Sequence, residues 1–502
     1  MRWTLACLLA VAISLPTAAA ETAAEGPDNN NAIPEPLHVE STGSVKIDGQ
    51  RIDYDVTAGQ LLMKDSDGEP IALFGYTAYT QQEADKRTRP VLFAYNGGPG
   101  SASMWLHMGI LGPQRTAVMD TEFTTEGPFE RVNNAFSILD KADLVMIDPV
   151  GTGFSRPVGD AEGDDFWGVD DDIRSVSDFI ARWVTEYGRW QSPKFLLGES
   201  YGGIRSGGVS LDLLSRHSIA LNGVILVSPY MDFVGGNAGL RMDQPYINYF
   251  TTYAATAWYH GVSEYRPDGL QTFLQEAEAF VESQYAPLLM KGNRASPEAR
   301  AEVLAGMQRF TGIAADFWDR ANLRIDESEF AKQLLRSQRK TVGRIDARFV
   351  GESIDHIKDS FSYDPFFPAV GPAFVATFND YYREVIGVKT DMRYITSAGL
   401  WRSWEQKHKT PGSGGEAPVP NTGVDLNYAM IQNPYMRVLV QQGYYDLATP
   451  YGATNYFIDQ MELPASLQDN LVARYYEAGH MMYLHPDSMK KFKADLAEFI
   501  DP

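Results

Sequence analysis

Four short, wholly apolar runs constrain this chain more than anything else in it: Val91–Tyr95, Leu144–Ile147, Phe195–Leu197 and Val224–Val227. Each runs into a loop bearing glycine or proline. A strand exposed on one face alternates apolar with polar, whereas a strand in a parallel sheet is covered on both faces and reads as a continuous apolar run. Helical periodicity between the runs, as in Asp171–Trp183, supplies the crossovers of βαβ units. The spacing therefore predicts an α/β chain with a mostly parallel central sheet. Ahead of it, Val45–Asp48, Ile52–Val56 and Ile71–Tyr79 alternate and are separated by Gly49-Gln50 and Asp65–Gly68, which predicts an antiparallel meander.

The rhythm breaks at Ser228–Ile431. Leu270, Phe273, Leu274, Ala277, Phe280 and Val281 recur at helical spacing, Ser296-Pro297 reads as an N-cap followed by proline, and Asp326–Leu335 and Phe378–Ile386 are also helical in pattern. Thr410–Gly423 reads as a Gly/Pro-rich loop, after which strands return at Arg437–Gln441 and Leu471–Tyr476 and a helix closes the chain at Pro486–Ile500. At the other end, Met1-Arg2, the apolar Trp3–Leu15 and Ala18-Ala19-Ala20 have the layout of a secretory signal cleaved near Ala20. The apolar run is too short to span a bilayer. The organisation expected is a signal peptide at 1–20, a flexible leader at 21–43, a core in two parts at 44–234 and 432–502, and a mostly helical cap insertion at 235–431. Export to the periplasm or the medium, with no integral membrane segment in the mature chain, follows from that pattern.

Cys7, the one cysteine, lies within the signal, so the processed chain has no thiol nucleophile, thiolate metal site or disulfide. A formal charge of −22 argues against binding nucleic acid or anionic lipid through a net positive field.

Within Lys194–Gly203 a strand-like segment meets Gly198-Glu199-Ser200-Tyr201-Gly202, the G-x-S-x-G pattern of a strand-to-helix elbow that exposes a serine hydroxyl. Chance supplies roughly 0.2 such matches in a chain this long, so context decides. Gly351-Glu352-Ser353 repeats half of the pattern without the second glycine or an apolar strand before it, and reads as a loop or helix cap. In the α/β-hydrolase fold the catalytic residues follow in the order serine, acid, histidine on loops after successive strands. Downstream of Ser200, Asp446 directly follows an apolar strand, and His480 follows a strand end and a glycine. His485, before Pro486, reads as a structural or surface residue. Taken alone, Asp446 is an ordinary turn residue and His480 an ordinary buried polar group; order and strand-end position lift both. A metal site at Asp446, His480 and His485 lacks any compact ligand spacing, and no cofactor is expected. The loop Asn96–Ser103 also leaves a buried strand, where this fold draws an oxyanion-hole amide.

Together Asn96–Ser103 (NGGPGSAS), Asp148–Ser155 (DPVGTGFS), Gly198–Gly202 (GESYG), Gly443–Asp446 and Gly479-His480-Met481 resemble the serine carboxypeptidases of the α/β-hydrolase superfamily, of a bacterial, exported type. The resemblance implies a peptidase acting on peptides with a free C-terminus. In it Ser200, Asp446 and His480 are nucleophile, orienting acid and general base, and the amides of Gly98 and Tyr201 form the oxyanion hole. Asn96, the Gly97 amide and a protonated Glu199 bind the substrate's terminal carboxylate. Two positions depart from the family. Ser101 stands where a cysteine is usual, and Ile110 where a second glutamate normally partners the equivalent of Glu199. His107, one turn earlier, offers either a positive charge or a packed helix histidine. Ile110 also leaves open an esterase, amidase or acyltransferase using the same triad, and an inactive binding protein of the same fold is the alternative from another class.

Overall fold

The computed structural model describes residues 33–233, 242–417 and 419–501. The signal at 1–20, residues 21–32 of the expected leader and the 234/235 boundary lie outside the described residues. All the elements below belong to one unit, Glu35–Pro502.

The strands in chain order are β1 (His38–Ile47), β2 (Gln50–Lys64), β3 (Pro70–Gln81), β4 (Val91–Tyr95), β5 (Gln114–Thr116), β6 (Arg131–Asn133), β7 (Asp143–Ile147), β8 (Arg156–Pro157), β9 (Lys194–Glu199), β10 (Gly223–Val227), β11 (Lys340–Val342), β12 (Val350–Glu352), β13 (Arg437–Gly443) and β14 (Leu471–Tyr476). One sheet runs β1-β2-β3-β7-β4-β9-β10-β13-β14, with β8 beside β3; β5/β6 and β11/β12 are separate two-stranded ribbons. The meander β1-β2-β3 and the β3/β7 pair are antiparallel. From β7 through β14 every pairing is parallel.

The four apolar runs fall in β4, β7, β9 and β10, all buried along their length. Alternate residues of each strand feed separate cores. Leu92 and Ala94 join one with Phe492, Leu496 and Phe499 of the closing helix Pro486–Ile500. Val91, Phe93 and Tyr95 join another with Phe179, Ile180 and Trp183 of the helix Val169–Glu186. Apolar side chains on both faces thus explain the missing alternation. A third core, built around Phe250, Phe273, Phe310, Trp318 and Phe330, knits the helices that follow residue 244.

The meander is longer than its alternation implies. β1 starts at His38, inside the stretch expected to be leader, and β2 continues past Val56 to Lys64. Ile52, Tyr54 and Val56 alternate with exposed residues, but from Ala58 to Leu61 every residue is buried. Alternation marks only the part of a strand with one wet face. Gly351-Glu352 sits in the β11/β12 ribbon and Ser353 in the turn after it, hydrogen-bonded by Lys332.

Register fixes where the chemistry collects. Tyr95 is paired with Gly198, so the loops leaving β4 and β9 start side by side. Val227 is level with Gln441 and Gly443 with Tyr476, which places the ends of β10, β13 and β14 along the same edge. Ligands in open α/β sheets sit outside such carboxyl ends.

Candidate active site

Ser200 occupies a left-handed backbone conformation, φ 64°, between β9 and the helix Gly202–His217. The turn is tight: a Cβ on Gly198 would lie 2.2 Å from the Gly202 carbonyl oxygen. The Ser200 amide donates to Val227 O (3.0 Å) and its carbonyl accepts from Tyr230 N (2.9 Å), tying the elbow to the end of β10. The side chain is half-buried.

Asp446, just past β13, is fully buried. Its Oδ1 accepts from the amides of Ala448 (2.8 Å) and Thr449 (2.9 Å), and its Oδ2 lies 2.7 Å from His480 Nδ1. The Thr449 hydroxyl donates to the same Oδ2 (2.6 Å) and sits 3.1 Å from His480 Nδ1. Burial alone pulls the His480 imidazole down; the Asp446 charge and hydrogen bond, helped by Glu199, outweigh it and leave the ring above its ordinary value. An imidazole held this way at Nδ1 keeps Nε2 free to take a proton.

Asn96, Gly97, Gly98, Glu199, Ser200, Tyr201 and His480 all line one cavity of about 450 Å³. A Cβ on Gly97 would stand 2.4 Å from Tyr201 N, so glycine is required where the two loops meet. The Leu106 amide donates to Asn96 Oδ1 (3.0 Å), which orients the amide group so that Nδ2 donates to Glu199 Oε1 (2.8 Å). Burial raises the Glu199 carboxyl to about 7, and the Asp446 charge adds to it; His480 and the hydrogen bonds from Tyr483 and Asn96 pull the other way.

With isoleucine at position 110, Glu199 has a different partner. Ile110 is buried in the core, and the second oxygen of Glu199 instead accepts from the Tyr483 hydroxyl (2.7 Å). Tyr483 lies three residues after His480, beyond the segment that carries the family resemblance. His107 is a packed histidine: its Nε2 meets the Tyr79 hydroxyl at 2.7 Å, rings of Phe378, Tyr381 and Tyr382 surround it, and burial lowers it to about 3. His485 caps the closing helix, accepting from the Ser488 amide.

Other walls come from the region expected to form the cap. Tyr249, Asp326, Glu327, Arg344, Phe367 and Trp401 line the cavity. Arg344 Nε is 3.6 Å from Glu327 Oε1, and the Arg344 carbonyl and that of Ile345 accept from Leu447 N (3.0 Å) and His480 N (2.8 Å). That segment therefore braces the loops that carry Asp446 and His480. Among the described residues no three His, Cys, Asp or Glu side chains are grouped to hold a metal ion, and no helix is long and apolar enough to cross a membrane.

Sheet order, elbow and strand-end loops define an α/β-hydrolase. Residues 53–284 match the family model for serine carboxypeptidase. Serine carboxypeptidase-like 16 of Arabidopsis thaliana is 26% identical over 169 residues, 31% of this chain and 36% of that protein. Serine carboxypeptidase-like 36 of the same plant is 25% identical over 172 residues, 33% of each. The chain thus spans about a third of the length of these curated relatives. The crystal structure of Kex1(delta)p, a prohormone-processing carboxypeptidase from Saccharomyces cerevisiae, shares the fold with a TM-score of 0.52 at 14% identity, covering 89% of this chain and 91% of that one.

Proposed function

We propose that the protein is an exported serine carboxypeptidase that removes C-terminal residues from peptides. One observation carries this reading. A buried carboxyl held near neutrality, Glu199, shares a cavity with the elbow serine and the Asp446-paired histidine. A carboxylate there would repel a substrate carboxylate; a carboxylic acid donates to it. A pocket closed around a free carboxylate excludes a chain that continues.

In the reaction Ser200 Oγ bonds to the last peptide carbonyl carbon while its proton passes to His480. The amides of Gly98 and Tyr201 receive the oxyanion. The C–N bond then breaks, and His480 returns the proton to the leaving amine. Water repeats the sequence on the acyl-enzyme. Residues 235–431 act as the cap that supplies the pocket walls, and the leading twenty residues support export.

Blocked dipeptides with free-acid or amidated C-termini test the reading. The free acid is hydrolysed preferentially, and Ser200→Ala abolishes both turnover and labelling by a fluorophosphonate. Equal use of acid and amide, or ester hydrolysis without peptide release, refutes it.

A further inference from the structure

Tyr483 touches none of the reacting atoms, yet it completes the shell of Glu199. Its ring is fully buried, 6.0 Å edge-on to Phe492, and it packs where Gly109 leaves room: a Cβ on Gly109 would lie 2.4 Å from a ring carbon. Gly109 directly precedes Ile110, so the phenol enters through the helix turn that would otherwise present the second acid. Building on the carboxylate-binding reading above, we propose that Tyr483 is a positioning residue that turns the proton of Glu199 toward the substrate's terminal carboxylate.

The hydrogen-bond inventory carries the inference. With Oδ1 engaged by Leu106 N–H, Asn96 presents only N–H donors to Glu199, and one of them fills Oε1. The Tyr483 hydroxyl fills Oε2. Burial drives the phenol well above its ordinary range, so it remains a donor throughout the working pH range. With an Asn96 N–H at Oε1 and the Tyr483 hydroxyl donating to Oε2, the one acceptor this shell offers the acid's own proton is the neutral phenol oxygen, a weaker acceptor than a carboxylate. The better acceptor is then whatever anion enters the cavity. A glutamate in place of Ile110 would do the reverse, taking that proton and keeping it inside the protein.

Tyr483 also sets the pH at which the acid is lost. Its donated hydrogen bond favours the Glu199 anion, as does the positive charge of His480 when protonated, whereas burial and the Asp446 charge favour the acid. Removing the hydroxyl leaves burial less opposed and moves the titration upward.

The test is Tyr483→Phe, assayed against wild type with paired free-acid and amidated dipeptides from pH 5 to 9, with fluorophosphonate labelling of Ser200 to confirm a folded, competent triad. The expected result is a KM for the free acid raised about tenfold at low pH, as for one lost hydrogen bond to a polar anchor. The fall of the free-acid/amide preference with pH also shifts upward by about one unit. If wild type prefers the free acid and the variant keeps both its KM and its profile, or loses both substrates equally, Tyr483 has no such role. If wild type shows no preference at all, the carboxylate-binding reading fails first and the inference falls with it.

Discussion

Replacing Glu199 by glutamine isolates the proton on which substrate recognition is proposed to depend. Glu199 is 3% exposed, and burial raises its carboxyl to about 7. The direction of the effect follows from which form works. Glu199 must be protonated to donate, so free-acid turnover is favoured below that value and lost as pH climbs through it. His480 must be neutral to act as base, so both substrates gain as pH rises through its own titration, which Asp446 holds above the ordinary imidazole value. The two groups sense each other's charge, so the limbs of a pH profile belong to the pair. Dividing the free-acid rate by the amide rate removes the histidine limb, because only the free acid needs the Glu199 proton. Above pH 7 the ratio of kcat/KM values is expected to fall about tenfold per unit, or about a hundredfold by pH 9, equivalent to about 2.7 kcal/mol of lost recognition. In Glu199→Gln an amide N–H stands where the acidic O–H was and cannot titrate, so the ratio becomes flat over the same range. The assay is steady-state hydrolysis of matched dipeptides at each pH. A wild-type ratio that does not change with pH, or a glutamine variant whose ratio still falls, refutes the assignment of the proton to Glu199.

Asp446→Asn keeps the shape of the orienting residue but reverses its polarity: with the amides of Ala448 and Thr449 claiming the oxygen, the NH₂ group faces His480 Nδ1 and forces the proton onto Nε2. kcat drops about 10⁴-fold in pre-steady-state acylation, with folding intact by circular dichroism; a loss below tenfold contradicts the arrangement. Asp172→Asn tests the support beneath the site. Arg205 is wholly buried, donates to Asp172 Oδ2 (2.8 Å) and to the Asn96 carbonyl (2.9 Å), and would keep an uncompensated charge. The urea midpoint is expected to fall by the equivalent of about 3–5 kcal/mol, and an unchanged midpoint would mean the pair contributes nothing to stability.

What could be read from the sequence divides along the distance over which each residue is positioned. β4, β7, β9 and β10 were visible because strands covered on both faces must be continuously apolar, whatever covers them. Ser200, Asp446 and His480 were visible because each sits within a few residues of a strand end, and strand order alone brings those ends to one edge. Arg344, Glu327 and Trp401 were not, since a pattern that predicts a mostly helical insertion says nothing of which of its residues will face the strand ends. Tyr483 lies between these cases. It is close to His480 in the chain, but its role depends on Gly109 leaving a gap nearly four hundred positions away. Ile110 looked like a lost acid when the helix was considered by itself. Paired with Gly109 and Tyr483 it reads differently: the missing Cβ at Gly109 makes room for a phenol from the far end of the chain, and that phenol hydrogen-bonds the second oxygen of Glu199. A glutamate introduced at position 110 with the phenol still in place would compete with the substrate for the Glu199 proton while burying a further charge.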